Sequence, residues 1–338
     1  MIRRRQFLIA LGASALRTST LALAQPQAPK IPHIGYLSQG SMASNGAFLN
    51  AFKDALRELG YVEGRNIAID VTWAGKAAYE FPNLAATLVK TNPAAIVTTC
   101  VPSTKAAKSA TQFIPVVMSV DGDPVASGLV ASLARPGANV TGTSTLFEEL
   151  IPKHLEFLKL TVPKVRNVAV LVNPEALISP YFLNKFGDAA HQIGVKLVSA
   201  EARVPTDFEP AFASMRKQRA DAFVVLTEAF MAGQVQRIVT LAGVYKLPGI
   251  YGFREFAEAG GLMSYGLSYR DYYKGVARYV DKVLKGTKPA DLPVEQPTKI
   301  ELVINKATAQ ALGVSLPGAL LARADKLIES DASDRFTP

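Results

Sequence analysis

The sequence predicts an α/β protein of two similar lobes, each built on a doubly wound parallel sheet. Its 338 residues, 49% hydrophobic and 19% charged, fill two compact domains better than a single core. From Ile31 onward, short β-branched runs alternate with amphipathic stretches, the order of parallel strands joined by crossover helices. That alternation then begins again in the second half of the chain.

In the first half, strands are expected at 34–37, 67–72, 96–99 and 116–120, with helices at 48–59, 84–89 and 104–110. After 155–160 the pattern starts again. Strands are expected there at 168–172, 196–200, 222–226 and 249–252, with helices at 182–193, 208–216 and 234–244. The halves also share wording. Gly60-Tyr61 and Gly194-Val195 close the first helix of each, and Phe113-Ile114-Pro115-Val116 parallels Lys246-Leu247-Pro248-Gly249. A diverged internal duplication accounts for both echoes.

Ligands of parallel α/β sheets gather beyond the carboxyl ends of the strands, where loops and helix N-termini leave backbone N–H groups free. In the first half those ends are Ser38-Gln39-Gly40, Cys100-Val101-Pro102-Ser103-Thr104, and Asp121 with Asp123. In the second they are Asn173-Pro174, Thr227-Glu228 and Phe253-Arg254. If the two sets face each other, they enclose a cleft. Plain helix capping is the competing account of Ser103 and Asp123. A zwitterionic ligand needs an anion partner, for which Arg254 or the N–H groups at Ser103-Thr104 serve, and a cation partner, for which Asp121 or Glu228 serve. Tyr36, Tyr181, Tyr251 and Tyr265 are candidates for the apolar wall, with core packing as the alternative.

The ends of the chain carry their own signals. Residues 1–24 combine Arg3, Arg4 and Arg5, a short apolar run and Ala22-Leu23-Ala24 before Gln25, the layout of an export leader cleaved after Ala24. Arg4-Arg5-Gln6-Phe7-Leu8 fits the twin-arginine pattern. The apolar run falls short of the roughly 20 residues a spanning helix needs. Cys100 is the only cysteine, so the chain can form no internal disulfide and carries no lipid-bearing cysteine after the leader. The leader's four arginines account for four of the nine net positive charges, and the rest are scattered, so no nucleic-acid partner is expected.

Catalytic patterns are missing. The three histidines share no metal-ligand spacing, and no G-x-S-x-G elbow, G-x-x-x-x-G-K-[ST] loop or G-x-G-x-x-G turn occurs. A two-lobed racemase needs a thiol from each lobe, but Cys100 aligns with Thr227 in the repeat. The expectation is therefore a protein that is not an enzyme, without cofactor or metal.

Four stretches carry a family resemblance: 123–130 (DPVASGLV), 133–142 (LARPGANVTG), 258–266 (EAGGLMSYG) and 285–297 (KGTKPADLPVEQP), the last followed by 301–305 (ELVIN). Through them, residues 30–329 resemble the ABC transporter substrate-binding proteins, the exported bacterial family that includes tryptophan and tyrosine binders with a type I periplasmic-binding fold. The resemblance implies a multi-crossover hinge, with crossings near 144–147, 264–266 and 296–299. It implies lobe 1 at 31–145 plus 267–295 and lobe 2 at 146–266 plus 296–330, with a flexible tail at 331–338. Ser144 joins the candidate ligand residues at the first crossing. The implied function is periplasmic: a monomer that closes on an amino-acid-like or aromatic carboxylate and hands it to an ABC permease of the inner membrane. A sensor subunit serving a signalling receptor, or an exported enzyme using Cys100 or the Asp121/Asp123 pair, are the alternatives.

Overall fold

The computed structural model describes residues 31–75 and 78–329, and the leader, its cleavage site and the tail at 331–338 lie outside the described residues. In the first lobe the chain runs β1 (His33–Ser38), α1 (Met42–Glu58), β2 (Ala68–Trp73), α2 (Phe81–Lys90), β3 (Ala95–Thr98), α3 (Val101–Ala110), β4 (Val116–Asp121) and β5 (Val140–Thr145). These strands form one parallel sheet in the order β2-β1-β3-β4-β5. Central strands β3 and β4 are largely apolar and almost wholly buried because helices cover both faces, whereas edge strand β2 is only half buried. Ser41 starts α1 with a reciprocal capping box to Ser44.

The second lobe follows with α4 (Ile151–Thr161), β6 (Asn167–Val172), α5 (Ser179–Ile193), β7 (Lys196–Glu201), α6 (Phe208–Lys217), β8 (Ala222–Val225), α7 (Ala229–Ala232), α8 (Val235–Val244), β9 (Gly249–Phe253), α9 (Arg254–Glu258) and β10 (Met263–Leu267). The order β7-β6-β8-β9-β10 repeats that of the first sheet, so the echo seen in the sequence is an echo of topology. Gly194, in the left-handed conformation at φ +70°, ends α5 where the sequence places a helix stop.

After β10 the chain leaves the second sheet. α10 (Tyr269–Leu284) packs against α1, β3, β4 and β5 of the first lobe. Glu295 then bridges Thr143 beside β5 before the chain returns as β11 (Glu301–Asn305), α11 (Lys306–Ala311), α12 (Gly318–Leu321) and β12 (Lys326–Ile328). Strand β11 pairs antiparallel with β10, an exception to the parallel sheet expected. Its direction follows from its entry: a segment arriving from the other lobe meets the sheet at its carboxyl edge and must run the opposite way. Residues 264–266, expected as a crossing, lie inside β10 and pair with β11, with β9 alongside. The chain departs only after Leu267.

Both lobes belong to a single compact unit. The largest apolar cluster spans them, joining Tyr36, Phe52 and Tyr273 of the first to Phe208, Phe212 and Tyr251 of the second. The Phe48 ring, in the first lobe, lies 5.9 Å from that of Phe253 in the second and 5.2 Å from that of Tyr273. Burying one such ring stabilises by about 1.5–3 kcal/mol, so this aromatic seam holds the lobes together with their carboxyl edges facing.

Candidate functional site

Where the two carboxyl edges meet, a cavity of about 240 Å3 opens between the lobes, near the roughly 300 Å3 lower limit of small-molecule pockets. The first lobe lines it with Gln39, Thr99, Cys100, Val101, Ser119 and Asp121, and the second with Thr227, Glu228 and Phe253. Phe48, Phe147, Phe182, Tyr269, Tyr272 and Tyr273 add aromatic rings to its wall. None of the described residues lining it is Lys, Arg or His.

Asp121 ends β4, and its Oδ1 accepts hydrogen bonds from the Thr145 hydroxyl at 2.7 Å and the Phe147 amide at 3.1 Å. Burial, relieved in part by these bonds, pushes its pKa up to about 7. Glu228 follows β8 in the other lobe and caps α7, accepting from the amides of Phe230 at 2.9 Å and Met231 at 3.2 Å. Burial likewise pushes it up to about 7. The cavity therefore receives one half-buried carboxyl from each lobe and, among the described residues, no compensating cation, an arrangement that favours a cationic group in the ligand. Helix α3 presents its N-terminal end at Cys100, Val101 and Pro102, where the helix dipole favours an anion. Tyr272 adds a hydroxyl 3.3 Å from Ser119 Oγ.

Gln39, Cys100, Val101, Asp121 and Glu228 are thus the candidates that the fold brings to the cavity. Gln39 also spans the mouth, its Nε2 donating to the Glu175 carbonyl of the second lobe at 3.2 Å. The Cys100 thiol sits 3.3 Å from Ser103 Oγ, and burial raises its pKa, the reverse of an activated nucleophile.

Other candidates have different positions. Ser103 and Thr104 are fully buried, and their hydroxyls donate to the Cys100 carbonyl, each at 2.9 Å; Ser103 Oγ also accepts from the Cys100 amide at 3.2 Å, at the start of α3. Asp123 is exposed and holds a turn through the Val125 and Ala126 amides. Ser38 accepts from the Thr99 hydroxyl at 2.7 Å beneath the cavity. Gly40 and Asn173 line a separate groove at the outer mouth, with Pro174 in the turn after β6. Ser144 is buried in β5, its amide donating to the Glu295 carbonyl. Tyr181 is 43% exposed and donates to Glu148 at 3.4 Å.

Four further candidates do not line the cavity. Tyr251 is a core residue, its ring stacked on Phe256 at 4.6 Å, because alternate residues of β9 face the interior of the lobe. Tyr36 is likewise buried, against Phe52. Tyr265 packs edge-on against Phe157 and His154 on the far side of the second sheet. Arg254 faces away from the cavity into three carboxylates, Glu258, Asp271 and Glu301. The Tyr251 hydroxyl is buried without a partner, so Tyr251→Phe should raise stability by about 1 kcal/mol and leave ligand affinity unchanged. Urea denaturation and calorimetry of the variant measure both.

The aromatic wall went unread in the sequence. Tyr269, Tyr272 and Tyr273 stand at helical i, i+3, i+4 spacing, and that pattern marks a shared face without saying what the face meets.

Residues 39–328 match the family model described as "ABC transporter substrate binding protein". A tyrosine-binding protein of Clostridioides difficile (strain R20291) is 29% identical over 280 residues, 83% of this chain and 79% of that protein. Among solved structures, a conserved domain protein of Vibrio cholerae superposes with a TM-score of 0.69 at 30% identity, over 88% of this chain and 100% of that one. An ABC domain of Streptococcus pneumonia in complex with L-Trp superposes at 0.67 and 26% identity, over 88% and 99%.

Proposed function

Because the chain belongs to the ABC transporter substrate-binding protein family, we propose that it is the exported, periplasmic binding component of an importer that captures an aromatic amino acid between its lobes. A permease of the inner membrane receives the ligand from the closed, monomeric protein. The observation that carries this reading is the pairing, in one interlobe cavity, of half-buried Asp121 and Glu228 with aromatic rings and, among the described residues, no lining cation. Such a site takes an ammonium group at the carboxyls, a carboxylate at the start of α3 and a ring among Phe48, Phe147 and Tyr269. The ligands named for the two relatives, tyrosine and L-Trp, have these three parts. The leader at 1–24 supports export. No helix among the described residues is long and apolar enough to cross a membrane.

A thermal-shift screen of the protein from Gln25 onward tests the proposal. At 100 times its dissociation constant a ligand adds about 2.7 kcal/mol of stability. L-Tyr, L-Trp or L-Phe should produce that shift, and 3-phenylpropionate, which keeps ring and carboxylate but lacks the amine, should not. Stabilisation by sugars or aliphatic acids alone would sink the assignment.

A further inference from the structure

We infer that Arg254 and Glu255 form a hinge clamp, positioning residues that tie the start of α10 in the first lobe to the second lobe and so hold the lobes in their closed arrangement. The inference rests on the proposed capture of a ligand between the lobes for its functional meaning, but not for its geometry.

The two residues open α9 at the carboxyl edge of the second sheet. Arg254 is held within its own lobe by Glu258 at 3.4 Å and by Glu301, the first residue of β11, at 2.9 Å. Its Nη2 reaches out of that lobe to Asp271 in the first turn of α10, at 3.2 Å. Glu255 grips the same turn. Only 7% exposed, its Oε1 accepts from Ser268 Oγ at 2.6 Å and from the Arg270 amide at 3.4 Å. Ser268 in turn accepts from the Asp271 amide at 3.2 Å, capping α10. A carboxylate at the N-terminus of a 16-residue helix is favoured by the helix dipole, so Glu255 stabilises the helix that it anchors.

The consequence is mechanical. α10 carries Tyr269, Tyr272 and Tyr273 into the ligand cavity, and its orientation against the second lobe is fixed by a guanidinium and a carboxylate adjacent in sequence. The same guanidinium holds Glu301, where the chain re-enters the second lobe. One residue thus ties together both returns of the chain across the hinge. A crevice of about 830 Å3 beside the clamp, between α1 and α9, leaves the lobes room to move about it. Asp271 is half exposed and its bond to Arg254 crosses the lobes, so opening the protein breaks that arm first.

The test compares Arg254→Ala, Arg254→Lys and Asp271→Asn with the parent by small-angle X-ray scattering without ligand, and by L-Tyr and L-Trp binding kinetics. The clamp predicts a larger radius of gyration for ligand-free Arg254→Ala and Asp271→Asn. It predicts affinity lowered about 10-fold, chiefly through faster dissociation, and partial recovery in Arg254→Lys. Unchanged scattering with unchanged kinetics overturns it. A loss of more than 1,000-fold confined to ligands that carry a carboxylate, with tyramine binding unaffected, also overturns it by making Arg254 an anchor for the ligand. Should Arg254→Ala fail to fold, Asp271→Asn decides the matter by the same readings. If the parent binds neither amino acid, the proposed function fails while the scattering comparison still judges the clamp.

Discussion

Asp121→Asn should weaken binding of an aromatic amino acid about 10- to 100-fold, with the fold as stable as the parent's or more so. The amide oxygen still accepts from the Thr145 hydroxyl and the Phe147 amide, so the local structure keeps its bonds. What disappears is the charge that meets the ligand's ammonium, and a hydrogen bond to a charged group contributes about 1.5–3 kcal/mol. Calorimetry measures the loss directly. A change below threefold would remove Asp121 from the site.

Proton linkage gives the same experiment a second reading. The Asp121 and Glu228 carboxyls, both pushed up to about 7 by burial, hold protons in the empty folded protein at pH values where the unfolded chain has released them. Stability of the free protein therefore falls as pH rises from about 4 through 7. The ligand's ammonium reverses the preference at Asp121: it draws that carboxyl into its charged form, so binding releases a proton below pH 7. Affinity should then drop by up to roughly tenfold for each pH unit between 7 and 5, with the slope reduced in Asp121→Asn. Around Asp121, Glu148 raises the carboxyl further, and the Thr145 hydroxyl with the Phe147 and Gly122 amides lower it. Calorimetry in two buffers of different ionisation enthalpy counts the proton; affinity that is flat across this range would contradict the linkage.

Gly266→Ala should cost about 3 kcal/mol or more and shift the urea midpoint accordingly. A Cβ at Gly266 would stand 1.9 Å from the Gly252 carbonyl oxygen on neighbouring strand β9, and that atom is backbone and cannot rotate aside. Overpacking of this kind typically costs 1–3 kcal/mol when side chains can yield; here the β9–β10 pairing must part instead. Register between these strands shifts at this place, and two glycines let the backbones approach just before the chain leaves for α10. Stability within 1 kcal/mol of the parent would show that β10 tolerates a wider spacing.

The eight strands expected in the sequence are all present, because each is a short, largely apolar run set between amphipathic stretches, and period and composition suffice to mark it. Strand β5 was not foreseen. Val140-Thr-Gly-Thr-Ser-Thr145 is rich in hydroxyls and reads as loop, yet it is wholly buried, its Thr141 hydroxyl satisfied by the Leu292 carbonyl at 2.6 Å. That partner lies 151 residues away, beyond any local pattern.

The candidate site divides along the same line. The sequence by itself determined which loops end the strands, and so which backbone stretches meet at the cleft: Gln39, Cys100-Val101, Asp121 and Glu228 follow from strand order alone. Only the tertiary structure decided what each side chain does there. Arg254 reads as an anion anchor until α9 turns it toward Glu258, Asp271 and Glu301. Tyr251 reads as a wall until the pleat of β9 turns it into the core. The ring wall comes from α10, which the chain delivers only after crossing back between lobes. Strand ends are set by local periodicity, whereas the direction and partner of a side chain are set by segments distant in sequence.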